Sequence, residues 1–133
     1  MADPRKTIRH DNIKVTEVAY KNDSSIVFDD TKQGGSASVG LAVTLSADKT
    51  VGLAGDGEVV IGRLERVYDD GICSVRIGGH MTFKGGTSAT LTRGGGIVGA
   101  LRSSAKGYVK VASGGRGYVQ ANSDTDAVEV MFP

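Results

Sequence analysis

Val39-Gly-Leu-Ala-Val-Thr-Leu45, Val51-Gly-Leu-Ala54, Val59-Val-Ile-Gly-Arg-Leu-Glu-Arg-Val67 and Ile72-Cys-Ser-Val-Arg-Ile77 follow one another with only Ser46–Thr50, Gly55-Asp-Gly57 and Tyr68-Asp-Asp-Gly71 between them. These are short apolar alternations separated by glycine-bearing turns, and none sustains a helical period. Asp-Gly and Gly-Gly turns supply the positive φ that tight hairpins need. The stretch therefore predicts hairpins and meanders, an all-β fold closing into a barrel or a small sandwich.

Outward from it the rhythm continues. Met81–Phe83, Thr87–Leu91, Ile97–Leu101, Tyr108–Val111, Gly117–Gln120 and Ala127–Phe132 read as further strands, and Ser24–Phe28 as a short first one. Residues 1–37 differ from the rest, being polar, charged and nearly glycine-free until Gly34-Gly35-Ser-Ala-Ser38, which reads as a flexible hinge. Ahead of that hinge, Ile8, Ile13, Val15, Val18 and Tyr20 are too scattered for one clean strand or helix face. The organisation expected is an N-terminal arm with a first short strand over residues 1–37 and a β domain over 38–133. Such an arm gains order by adding to a sheet edge on a partner, or by packing on its own body.

At 133 residues the chain fits one domain, yet only 5% of it is aromatic, it has no Trp, and it carries 20 glycines against two prolines. So thin a core points to assembly as a source of stability. Cys73 is the single cysteine, which excludes an internal disulfide and fits a reducing compartment; inside a strand it reads as a small buried hydrophobe. No segment approaches the ~20 apolar residues that span a bilayer, so no membrane role is expected.

The net charge of +1 argues against general nucleic-acid binding, but the charges are segregated. From Gly71 to Ser123 there is no acidic residue, whereas Arg76, Lys84, Arg93, Arg102, Lys106, Lys110 and Arg116 all lie there. Solvated strand faces account for such a pattern, and so does an acidic face on one copy meeting a basic face on the next.

Sites for chemistry are scarce. Gly94-Gly-Gly-Ile-Val-Gly99 satisfies the pyrophosphate pattern G-x-G-x-x-G, but Leu101–Gly107 leaves no room for the helix it requires. His10 and His80 are the only histidines and cluster with no cysteine, so neither a metal nor another cofactor is expected. The doublets Asp29-Asp30 and Asp69-Asp70 sit beside turns, where Asp caps backbone N–H groups, and no serine has a base at motif spacing. The sequence predicts no enzyme.

Gly40-Leu-Ala-Val-Thr-Leu-Ser-Ala-Asp-Lys-Thr-Val-Gly-Leu-Ala-Gly-Asp-Gly57, Val60-Ile-Gly-Arg-Leu64, Asp70-Gly71, Val75–Gly79 and the closing Val128-Glu-Val-Met-Phe132 resemble the capsid decoration, or cement, proteins of tailed bacteriophages. Their pattern is a G-x-x-V-x-L-x-x-D-x-x-V-x-L-A-x-D-G hairpin followed by a G-x-L strand, and the likeness covers residues 38–133. The resemblance implies a small β-barrel of the β-tulip type with an extended N-terminal arm. It further implies a homotrimer on the outer surface of an expanded head, made in the host cytoplasm, with the major capsid protein as partner. On that reading Ile8, Ile13, Val15, Val18 and Tyr20 lie against a coat sheet edge, and Arg5, Lys6 and Arg9 pair with coat carboxylates. The long charged arm and the glycine run 94–99 depart from the family pattern. A rival reading is a glycan- or receptor-binding β module using loops at Gly78-Gly79 and Gly114-Gly115.

Overall fold

The computed structural model describes residues 16–122 and 124–132. The fold is all-β, with nine strands among the described residues: β1 (Thr16–Asn22), β2 (Ala42–Ala47), β3 (Thr50–Leu53), β4 (Gly62–Val67), β5 (Ile72–Phe83), β6 (Ile97–Arg102), β7 (Ala105–Val111), β8 (Tyr118–Ala121) and β9 (Val128–Phe132). Five strands close on themselves. β1 pairs with β3, β3 with β2, β2 with β4, β4 with β5, and β5 returns to β1, every contact antiparallel except β1 with β3. β5 then runs on past the ring to pair with β9, which pairs with β8, and β6 and β7 form a separate hairpin.

Inside the ring sits an aliphatic core of Ile26, Val43, Val51, Leu64, Val67, Cys73 and Val75, joined by the half-buried Tyr20 and Leu53. A register shift between Leu64 and Arg66 leaves Glu65 as an extra residue in β4. Strand side chains alternate, so Leu64 and Val67 can both face the core only because that bulge switches parity between them. A second core, containing Met81, Phe83, Ile97, Val109, Val119, Val130 and Phe132, lies outside the ring in an annex built from the far half of β5, β8, β9 and the β6–β7 hairpin.

β5 serves both cores with one parity: Cys73 and Val75 point into the ring, Met81 and Phe83 into the annex, all buried. Between them Gly79 takes φ +90°, a left-handed conformation that glycine adopts cheaply. The sequence divides this strand at Gly78-Gly79 and expects a loop there; the backbone instead stays paired, with Thr16 opposite Gly78 and Phe132 opposite Gly79.

Three other expectations are corrected. Ser24–Phe28 is not a strand, because the Asp23 carboxylate accepts hydrogen bonds from the Ser25 N–H (2.8 Å) and hydroxyl and bends the chain. Ile26 drops into the ring core while Val27 and Phe28 are left exposed. Gly34–Ser38 is not a free hinge: a short turn at Gln33–Gly35 packs on β4, Ser36 is buried, and Asp29 N–H bonds to the Gly35 carbonyl (2.7 Å). Thr87–Leu91 is not a strand either. Its Ser88 has φ +53°, yet Thr87 N–H reaches the Leu101 carbonyl and Val111 N–H the Thr90 carbonyl, so the segment covers both edges of the hairpin. Within residues 1–37, β1 pairs into the ring, Ile26 enters its core and the turn at Gln33–Gly35 packs on β4.

Candidate interaction surface

Of the residues expected to meet a partner, Val18 and Tyr20 lie in β1, half-buried and facing the ring interior opposite Val75 and Cys73. Arg5, Lys6, Ile8, Arg9, Ile13 and Val15 lie outside the described residues. The alternation of Val18, Tyr20 and Asn22 escaped the sequence reading because a seven-residue strand acquires meaning only from its partner, and β5 lies more than fifty residues away along the chain.

β1 is held unequally on its two edges. β5 pairs with it from Thr16 to Lys21, whereas β3 meets it only at Lys21 and Asn22. Lys21 N–H bonds to Lys49 O (2.9 Å), Asp23 N–H to Val51 O (2.9 Å) and Asn22 N–H to Gly71 O (3.1 Å), so odd-numbered residues direct their backbone toward the β3 side. Among the described residues, no strand pairs with Thr16–Tyr20 on that side. The root of the arm is therefore a strand with an open edge, the feature that invites pairing with another chain.

At the other end of β1 the surface changes character. Tyr68 N–H bonds to Ile72 O (2.9 Å), and Ile72 pairs on its other edge with Lys21, so Tyr68 stands at the same end of the ring as the last residues of β1, with β5 between them. Phe28, Asp30, Lys32, Arg66, Tyr68 and Asp69 line a shallow groove of about 360 Å³ there. Phe28 is 41% exposed and Tyr68 46%. A second groove of about 420 Å³ continues across Lys32, Gly34 and Arg66 to Val39. Aromatic faces beside carboxylates suit a ligand that is apolar and cationic.

The remaining charged groups act mainly on the fold. Glu65 accepts from Arg63 (2.8 Å) and is ion-paired with Arg76 (3.0 Å) on the outer face of the ring, and all three are largely shielded from solvent. Arg116 donates to the carbonyls of Ile61 and Ile77 and lies 4.6 Å over the Phe132 ring, tying ring to annex. Lys110 pairs with Asp56 (2.8 Å) and Arg102 with Asp126 (2.7 Å). Three cations of the acid-free stretch 71–123 are thus matched within the chain by Glu65, Asp56 and Asp126. Charge segregation along the sequence becomes, in space, partly a set of internal pairs.

The aspartate doublets cap turns: Asp29 Oδ1 accepts from Thr31 N–H (3.0 Å) and Asp70 Oδ1 from Ile72 N–H (3.1 Å). The hydrogen bonds from Thr31 hold the Asp29 carboxyl below its usual range. At Asp23 burial works the other way, but hydrogen bonds from Ser25 and Ser46, with Lys106 nearby, outweigh it and lower its pKa as well. Burial pushes the Cys73 thiol up to about 11, so it stays protonated and unreactive inside the ring. His80 Nε2 lies 3.1 Å from a Glu129 carboxylate oxygen, and among the described residues no three His, Cys, Asp or Glu side chains are grouped to hold a metal ion. In the run 94–99, Gly94 sits in a turn with φ +86° and Gly99 in β6, a strand rather than a helix. No helix among the described residues is long and apolar enough to cross a membrane.

Among the described residues the fold is all-β, with a closed ring of five strands and, at its periphery, a strand whose second edge is unpaired over Thr16–Tyr20. The chain matches no protein-family model, and no curated protein or solved structure is measurably similar to it.

Proposed function

We propose that this is a structural virion protein that binds the outside of an expanded bacteriophage capsid and stabilises it by bridging neighbouring major capsid protein subunits. The observation that carries this reading is the open edge of β1 at Thr16–Tyr20, which leads directly into a basic and apolar limb. The ring and annex are the rigid body; the limb is the clamp, laid against a coat sheet edge through Ile13, Val15 and the backbone of β1. Three copies around a local threefold axis present three limbs. No cofactor, metal or catalytic step is needed, because any ligand that prefers the expanded lattice stabilises it by mass action. Weak contacts suffice when they are repeated over a shell.

The test is co-sedimentation with purified coat-protein shells before and after expansion. Saturable binding to expanded shells alone, at a fixed ratio to coat subunits, is the expected result. Binding to neither form overturns the proposal.

A further inference from the structure

The groove at the far end of β1 is not used by a limb that only lies on a coat. Two aromatic side chains, Phe28 and Tyr68, stay exposed together on this one groove, whereas the other exposed large apolar residues of the region, Val27, Leu45 and Val59, are aliphatic and do not line it. Asp30 and Asp69 stand on the same groove, with Lys32 and Arg66 on the side toward Gly34. The chemistry that complements the carboxylate side is a short segment with cations around one apolar residue and no acid. Arg5-Lys6-Thr7-Ile8-Arg9 is such a segment. We infer that the Phe28–Tyr68 groove of one copy receives residues 5–9 of a second copy.

Placement favours another copy over the same one. Thr16 pairs with Gly78 and Lys21 with Ile72, so the limb leaves the ring at the end of β1 opposite Tyr68. That separation is ~20 Å at ~3.3 Å per strand residue. A chain that continued in the direction of β1 would move away from the groove of its own copy, and entering that groove would take a reversal and a return along the ring. Arg9 lies seven residues before Thr16, a reach of up to ~23 Å, enough to arrive at an adjacent body. In the groove Ile8 packs on Phe28 and Tyr68, a guanidinium stacks on the Tyr68 face, and Asp30 and Asp69 supply counter-charge. A limb at one end and its receptor at the other make a head-to-tail contact, which closes into a ring when the rotation allows.

The inference rests on the limb reading above but replaces coat carboxylates, as partners of Arg5, Lys6 and Arg9, with those of the neighbouring copy. It does not depend on what lattice lies beneath.

Site-specific cross-linking in the full chain tests it, with the wild-type Cys73 silent because it is buried. Lys6→Cys and Tyr68→Cys proteins are mixed and oxidised mildly with diamide, and disulfide-linked dimers containing one of each are counted by mass spectrometry. The expected yield exceeds that of a Lys6→Cys and Lys84→Cys mixture by about tenfold, Lys84 being exposed in the annex. Adding Asp30→Asn and Asp69→Asn to the Tyr68→Cys protein lowers the yield by about 2- to 30-fold, as loss of two exposed ion pairs allows. Equal yields with Tyr68→Cys and Lys84→Cys overturn the inference. So does a chain carrying both Lys6→Cys and Tyr68→Cys that closes its disulfide internally at every dilution. Shell co-sedimentation is scored separately, so failure of either idea is visible without the other.

Discussion

The ring and the annex solve the same problem with different residues. Both must bury apolar surface and leave few sheet edges bare. The ring does so by closing on itself, and its fully buried core holds aliphatic side chains and one thiol, with Tyr20 packed at its border. The annex is an open three-strand sheet faced by a hairpin, so its edges are covered by irregular chain: Gly99 N–H bonds to Glu58 O, Gly57 N–H to Gly99 O and Val109 N–H to Lys84 O. Its core takes the two largest buried side chains, Phe83 and Phe132, whose rings pack 5.9 Å apart. Its backbones also cross where glycine alone fits. A Cβ on Gly115 would meet the Gly96 carbonyl carbon and the Ile97 nitrogen inside normal contact, and one on Gly96 would meet Gly115. Close backbone approach is common to both, since a Cβ on Gly62 of β4 would collide with the Arg76 carbonyl; what differs is that closure of hydrogen bonds substitutes for bulk in the ring and aromatic mass substitutes for closure in the annex.

Core truncation is the strongest way to break this comparison. Leu64→Ala in the ring and Phe132→Ala in the annex should each cost ~2–5 kcal/mol. Because β5 threads both cores, both losses are expected in one shared transition. Cys73 reports the ring and intrinsic tyrosine fluorescence the whole, so labelling of the thiol during denaturant unfolding should coincide with the fluorescence change. Annex unfolding ahead of Cys73 exposure would separate the two regions into independent units.

Arg116 comes next. Replacing it with Met leaves the Ile61 and Ile77 carbonyls without their donor and removes the cation above Phe132. A loss of ~2–3 kcal/mol is expected in urea unfolding, with a lower midpoint and an unchanged slope. A changed slope would mean that ring and annex had come apart.

Asp23 sharpens the comparison on the ring side, where it secures the bend that delivers Ile26. Asp23→Ala should cost ~1–2 kcal/mol near neutral pH. Its folded pKa lies below the usual 3.8, so its contribution is complete above about pH 4 and disappears as pH falls through the lower folded value. Melting curves of wild type and Asp23→Ala should therefore converge in acid and stay separated at neutral pH. At the alkaline end the sign reverses: the Cys73 thiol is held neutral up to about 11, so the ring weakens as pH rises above 9, and Cys73→Ala should flatten that decline.

The smallest effect is at Glu65. Glu65→Gln leaves Arg63 and Arg76 adjacent without their shared carboxylate, at a cost of ~1 kcal/mol that shrinks in high salt. A thermal scan at low and high ionic strength measures it.

Local signals carried much of this fold. Ile72–Ile77, Ile97–Leu101, Tyr108–Val111 and Ala127–Phe132 each alternate between turns, and each is a strand. What stayed hidden depended on distant residues. Val59–Ile61 read as the start of a strand, but Val59 only bridges to Val98 and the ladder begins at Gly62. Ser24–Phe28 has strand composition, yet one upstream carboxylate turns it. Gly78-Gly79 looks like a break and is the point where one strand changes core. The candidate surface was legible only as a charged, apolar limb: Val18 and Tyr20 give no sign of their shared face without β5, and Phe28 and Tyr68 lie forty residues apart until the turn at Gln33–Gly35 brings the Phe28 loop onto β4.

On the proposed reading, stability resides in the ring and annex while partner binding resides in the residues that precede β1. Deleting residues 1–15, with β1 intact from Thr16, measures both. The shortened protein should melt as a single transition close to that of the full chain and should stay in the supernatant where the full chain is expected to co-sediment with expanded coat shells. Full shell binding by the shortened protein, or loss of its folded transition, would contradict that division of roles.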